Sequence, residues 1–230
     1  MKEMTRIVDV ATGALTVEGL SDGDFARLAS DLLLQPQHVN CARPIGVPPI
    51  KDKVTTGSAA EDERLRIFRI YHHSVVEGPG RRSAAQFSGC DRRCIGCYAF
   101  EAFARDSGAL MSVVETVELL LAVEGEPRDG VTILGGEPFL QPDGLAALMR
   151  ELKKRDQHIT LYSGYTLEEL RARPEPSVHL ALTLADVLID GPFVASLTSG
   201  AGEWRGSTNQ RIICHPAGYQ TEGCREAIKS

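Results

Sequence analysis

From about Leu65 onward the chain alternates short apolar runs with amphipathic stretches, and this rhythm leaves few architectures open to it. Ser83–Phe87, Val131–Leu134, His158–Tyr162, Val187–Asp190 and Arg211–Cys214 read as strands, because they are short and largely apolar. Helical signals fall between them. Ser112-Val-Val-Glu115 is a capping box that opens a helix with Val113, Val114, Val117, Leu120 and Leu121 on one face. Leu145, Leu148, Met149 and Leu152 mark the next helix, and Thr166-Leu-Glu-Glu169 is a second capping box. Alternating elements with short connections predict a parallel sheet with helices outside. Residues 65–214 carry this pattern, fewer than the ~250 of a full eight-fold barrel. The expected fold is therefore α/β, an open partial (β/α) barrel.

Residues 1–64 read as a short N-terminal extension and linker. Ser21-Asp22-Gly23-Asp24 caps a helical pattern of Phe25, Leu28, Ala29, Leu32 and Leu33, followed by Pro36, Pro44, Pro48, Pro49 and the polar stretch Thr55–Glu63. Residues 215–230 read as a C-terminal tail. No apolar run approaches the ~18–20 residues of a membrane span, and the start lacks the apolar core of a secretory signal. A net charge of −6 speaks against a nucleic-acid surface. The chain is expected to be cytoplasmic, with neither membrane nor nucleic acid as a partner.

The chain has six cysteines, Cys41, Cys90, Cys94, Cys97, Cys214 and Cys224, and without a secretory signal they are expected to be thiols. Three of them fall within eight residues as Cys90-x3-Cys94-x2-Cys97. Structural zinc takes four closed ligands, and an ordinary four-iron cluster takes four thiolates. Three thiolates on one loop mean either a cluster with one iron left open or a fourth ligand elsewhere, Cys214 or Cys224. The loop follows one strand; Gly135-Gly136-Glu137-Pro138, Ser163-Gly164 and Asp190-Gly191 follow three others. Polar and glycine-rich ends of parallel strands are where sites form in such sheets.

Together, the cysteine loop and the Gly135–Pro138 strand end resemble the radical S-adenosylmethionine (SAM) superfamily. Val76-Glu77-Gly78-Pro79-Gly80, Phe87-Ser88-Gly89-Cys90, Gly96-Cys97-Tyr98, Tyr162-Ser-Gly-Tyr-Thr166, Asp190-Gly-Pro-Phe193 and Trp204–Gln210 narrow the resemblance to the activating enzymes of anaerobic (class III) ribonucleotide reductase. It runs from about Tyr71 to Ile213 and implies a partial barrel of the radical SAM type. It further implies that Cys90, Cys94 and Cys97 hold a [4Fe-4S] cluster whose fourth iron is chelated by SAM. Gly96 and Tyr98 would lie near the adenine. Gly135, Gly136, Glu137 and Pro138 would hold the methionyl end, with backbone oxygen on its amino group; Ser163 and Asp190 would add SAM contacts. A flavodoxin or ferredoxin would reduce the cluster, SAM would split into methionine and a 5′-deoxyadenosyl radical, and that radical would make a glycyl radical on a partner, anaerobic ribonucleotide reductase.

Two other functions compete. One is a radical SAM enzyme acting on a small molecule or peptide, like 7-carboxy-7-deazaguanine synthase or a peptide maturase. The other is a metal-binding or electron-transfer module with Cys214 as fourth ligand, which leaves Gly135–Pro138 without a purpose. Outside the site, Arg81, Arg82, Arg92 and Arg93 are expected to be solvated, or to meet an acidic partner. Asp190 also suits an ordinary turn or cap. Trp204 and Arg205 also suit packing against the last strand. His72, His73 and the His38/Cys41 pair show no metal spacing. Cys214 and Cys224 are expected to be free.

Overall fold

The computed structural model of the chain describes residues 5–8, 15–18, 63–122 and 128–218. The helix expected after Ser21, His38, Cys41, Cys224 and most of the C-terminal tail lie outside the described residues. Backbone contacts divide the chain into two units, Met1–Pro48 and Pro49–Ser230. In the first unit β1 (Thr5–Val8) pairs antiparallel with β2 (Leu15–Glu18).

The second unit is built on a seven-stranded sheet. Its strands are β3 (Arg64–Ser74), β4 (Arg82–Phe87), β5 (Ala109–Ser112), β6 (Gly130–Gly135), β7 (Ile159–Tyr162), β8 (Val187–Asp190) and β9 (Arg211–Cys214), in the order β5-β3-β4-β6-β7-β8-β9. The sheet is open, ending at β5 and β9. Strands β4, β6, β7 and β8 are parallel, as the strand–helix rhythm predicts. The flanks are antiparallel: β3 pairs with β4 and β5, and β9 with β8. The all-parallel expectation is corrected there: residues 191–210 between β8 and β9 hold no α-helix, only the 3-10 turn Ala195–Leu197, so no helical crossover carries the chain back to a parallel start.

The helices are α1 (Val113–Leu121), α2 (Pro142–Lys153), α3 (Leu167–Arg171) and α4 (Pro176–Leu184). Ser112 caps α1 by accepting from the Glu115 N–H at 3.1 Å, and Thr166 and Glu169 form a complete capping box on α3. The apolar faces of the helices join alternate residues of the strands in one core. Ala85 and Phe87 of β4, Val131 and Ile133 of β6, and Ile159 and Leu161 of β7 point to it. Their neighbours Gln86, Leu134 and Tyr162 point to the other face, where a cavity lies.

At the amino ends of these strands Arg82 is fully buried, which corrects its reading as a solvated side chain. It donates to Thr132 Oγ1 at 2.7 Å and to the carbonyls of Pro79, Val131 and His158 at 2.9, 2.7 and 3.0 Å. Burial lowers its pKa to about 10, so it stays cationic at neutral pH. These bonds join the turn before β4 to the starts of β6 and β7.

Candidate active site

At the carboxyl ends of β4, β6, β7 and β8 the strand-end residues open into a cavity of about 700 Å³. Each parallel strand contributes. The loop after β4 brings Cys90, Cys94, Cys97 and Tyr98; β6 ends in Gly135, Gly136 and Glu137; β7 brings Tyr162, Ser163 and Gly164; β8 is followed by Gly191 and Phe193.

All three cysteines are free and half-buried. Burial pushes the Cys90 and Cys97 thiols up, so ligation would exchange a proton for metal at each. The start of the loop is anchored, with Gly89 N–H donating to Ala102 O at 2.8 Å and Cys90 N–H to Phe103 O at 3.2 Å, and a turn inside it is closed by Cys97 N–H donating to Cys94 O at 3.2 Å. No three His, Cys, Asp or Glu side chains among the described residues close on a single-ion site. A closed zinc site would ask for that. A four-iron cluster asks for wider spacing, since each thiolate binds its own iron. Cys214 is disulfide-bonded and packs with Val187 and Ile189. This overturns its reading as a free thiol and removes it as a fourth ligand.

Glu137 is fully buried, and its carboxylate links two strand ends. Oε1 accepts from Phe139 N–H at 3.1 Å and Ser163 Oγ at 3.0 Å, and Oε2 from Gly164 N–H at 2.7 Å. Burial outweighs these bonds and raises its pKa to about 7. Its own N–H donates to Gly89 O at 2.7 Å, which ties the β6 end to the cysteine loop. Gly136 allows that approach: a Cβ there would lie 2.1 Å from Gly89 O.

The remaining expected site residues divide. Tyr98 lines the cavity with its ring 5.4 Å from that of Phe193. Gly96 is exposed and does not line the cavity; a Cβ there would meet Ala195 at 3.2 Å and the Phe193 ring at 3.9 Å. Pro138 is buried at the start of the short 3-10 turn Pro138–Leu140. Asp190 is fully buried and absent from the cavity wall. It accepts from Leu167 N–H at 2.6 Å and from Arg211, with Nε at 2.9 Å and Nη2 at 2.5 Å. Both its oxygens are therefore engaged by the protein.

The wall away from the cysteines carries residues to which the sequence reading gave no site role. Tyr71 donates to Glu77 Oε1 at 2.5 Å and Tyr162 to Trp204 O at 2.6 Å. Arg69 Nε is bonded to Gln86 Oε1. Arg205 lines the cavity with its Nε buried and without an acceptor among the described residues, which sets it apart from a side chain that only packs against β9. Period-two alternation in β4 and β7 could have flagged Gln86 and Tyr162 as facing away from the helical core; in β3 a register shift between Ile67 and Arg69 reverses the alternation set by Leu65 and Ile67, so it would have put Tyr71 on the core face, and Arg205 carries no local signal.

Three free thiols and a glycine-rich strand end share one cavity of an α/β domain, the arrangement an iron–sulfur site asks for. Residues 76–213 match the family model of the 4Fe-4S single cluster domain. The chain is 33% identical over 155 residues to the anaerobic ribonucleoside-triphosphate reductase-activating protein of Vibrio cholerae, covering 64% of this chain and 97% of that one. The protein of that name from Enterobacteria phage T4 is 32% identical over 148 residues, covering 63% and 90%. A crystal structure of QueE from Escherichia coli aligns with a TM-score of 0.39 and 17% identity, covering 46% of this chain and 55% of that one. The chain belongs to the anaerobic ribonucleoside-triphosphate reductase-activating protein family, activating enzymes of the radical SAM type. The small-molecule alternative is not favoured by relatives matched over nearly their whole length. No helix among the described residues is long and apolar enough to cross a membrane.

Proposed function

We propose that Cys90, Cys94 and Cys97 hold a [4Fe-4S] cluster, that SAM binds its open iron, and that the chain makes a glycyl radical on anaerobic ribonucleotide reductase. The observation that carries this reading is one cavity shared by three free thiols and the Gly135–Glu137 strand end. When bound, the cluster supplies the electron that cleaves SAM, giving methionine and the adenosyl radical that takes hydrogen from glycine.

The chain's part is to bind, orient and shield. Gly135 and Gly136 carry no side chains, so their backbone oxygens are open to the methionyl ammonium. The Glu137 carboxylate acts through Ser163 and Gly164, holding β7 against β6 at the methionyl end. Tyr98 and Phe193 offer aromatic surface to the adenine. The Arg205 Nε–H supplies a buried donor to an acceptor oxygen of whatever fills the cavity, which suits a carboxylate ligand such as SAM. Asp190 supports the wall from behind, through α3 and β9. A flavodoxin or ferredoxin would deliver the electron, and the reaction would take place in the cytoplasm. Residues 65–214 would carry this chemistry, with 1–64 as an added extension.

Low-temperature EPR of the anaerobically reconstituted, reduced chain tests this. A cluster signal that changes on adding SAM is expected; a signal indifferent to SAM overturns the reading. Cys94→Ala should abolish SAM cleavage and leave the melting transition of the iron-free protein in place, because Cys94 lies on the cavity wall rather than in the core. Wild-type cleavage in that variant would exclude Cys94 as a ligand.

A further inference from the structure

Two of the three residues between Cys90 and Cys94 reach across to the turn between β7 and α3. Arg92 Nε donates to Gly164 O at 3.0 Å, and its two terminal nitrogens face the carboxylate oxygens of Glu169 at 3.4 Å each. The guanidinium carbon lies 4.7 Å from the centre of the Tyr165 ring. The Tyr165 hydroxyl in turn donates to the Asp91 carboxylate. The turn that receives them is itself fixed. Gly164 N–H is bonded to Glu137, and Thr166 N–H donates to Glu169 Oε2 at 2.7 Å. The fit is close, since a Cβ at Gly164 would meet Arg92 Cγ at 3.0 Å. Binding iron requires only the thiolates, so these side chains serve something other than ligation. The ion pair with Glu169 is half-exposed and contributes little in water. The Nε–carbonyl bond and the guanidinium–ring contact are the parts that hold.

We propose that Arg92, with Asp91 and Tyr165, is a positioning residue that clamps the three-cysteine loop to the β7–α3 turn. The clamp keeps the loop in its liganding shape before iron arrives and fixes its distance from the Gly135–Ser163 end of the cavity. It rests on the reading that these thiols hold a cluster.

The test uses the full chain, reconstituted anaerobically, and follows iron release to excess chelator and the SAM-induced change in the reduced-cluster EPR signal. Arg92→Gln should release iron about tenfold faster than wild type and show a smaller SAM-induced change. Arg92→Lys keeps the charge without the planar fork and should fall between. Tyr165→Phe, which loses one hydroxyl, should release iron about threefold faster. A lower melting temperature with unchanged iron release in Arg92→Gln would make the contact merely structural and overturn the proposal. If Arg92→Gln does not fold, Tyr165→Phe decides alone, and a wild-type release rate there overturns the clamp. A wild-type chain that takes up no iron overturns both this proposal and the cluster reading. One that takes up iron and ignores SAM overturns only the function, and the release rates still decide the clamp.

Discussion

Glu137 is where one residue's environment says most. Its carboxylate accepts three hydrogen bonds, none from a cation, and burial holds its pKa at about 7 against an ordinary 4.5. The folded chain therefore binds this proton more tightly than the unfolded chain does. The stability this group contributes is full below pH ~4.5 and is lost as pH rises through ~7, by up to ~3 kcal/mol. Glu137→Gln removes the titration. Denaturant unfolding of the iron-free protein should fall in stability between pH 5 and 8 more steeply for wild type than for the variant; parallel curves would exclude Glu137 as the source. Gly136 teaches a related lesson. From sequence, a side chain there is expected to crowd the SAM methionyl group and leave iron in place. The structure puts the added Cβ against Gly89 O, beside the first cysteine. Gly136→Ala should therefore lower iron per chain after reconstitution as well as SAM binding; full iron content would contradict this geometry.

At the scale of elements, Asp190 ends β8 and joins it to β9 and α3. It pairs with Arg211 and receives the Leu167 N–H, while Arg211 also holds Glu168 at 2.7 Å. Arg211 holds the Glu168 carboxyl down at about 2, and Asp190 and Glu168 hold the guanidinium proton more firmly. Asp190→Asn should cost ~2 kcal/mol, less than for a wholly buried pair because Arg211 is 41% exposed. SAM affinity should change less than twofold; a large loss of affinity with stability intact would restore Asp190 as a ligand contact. Strand β3 shows the opposite kind of legibility. Leu65 and Ile67 are buried while Arg64 and Arg66 are not, so the alternation over this stretch is present in the sequence but masked by its charges. The two helix caps were legible because a cap and its third residue are neighbours in the chain, although only Thr166 and Glu169 close the full box and Ser112 caps α1 alone.

For the whole molecule, the division at Pro48/Pro49 and the family match over residues 76–213 point the same way. A chain of residues 49–230 should fold and take up as much iron as the full chain, as measured by thermal melting and iron content. Loss of iron uptake would make the first unit part of the site. The sequence by itself determined the cysteine spacing, the Gly135–Pro138 strand end, the strand runs and the helix caps. Each depends on residues within a few positions of one another. Only the tertiary structure decided that Arg82 is buried, that Asp190 is engaged away from the cavity, that Arg92 is bonded to Gly164 and that Arg205 faces the cavity. Arg92 and Gly164 are 72 positions apart, and Arg82 and His158 are 76 apart. Contacts across such separations depend on strand register and on which face each side chain takes, and a shift of one residue along a strand would turn all of them to the other side.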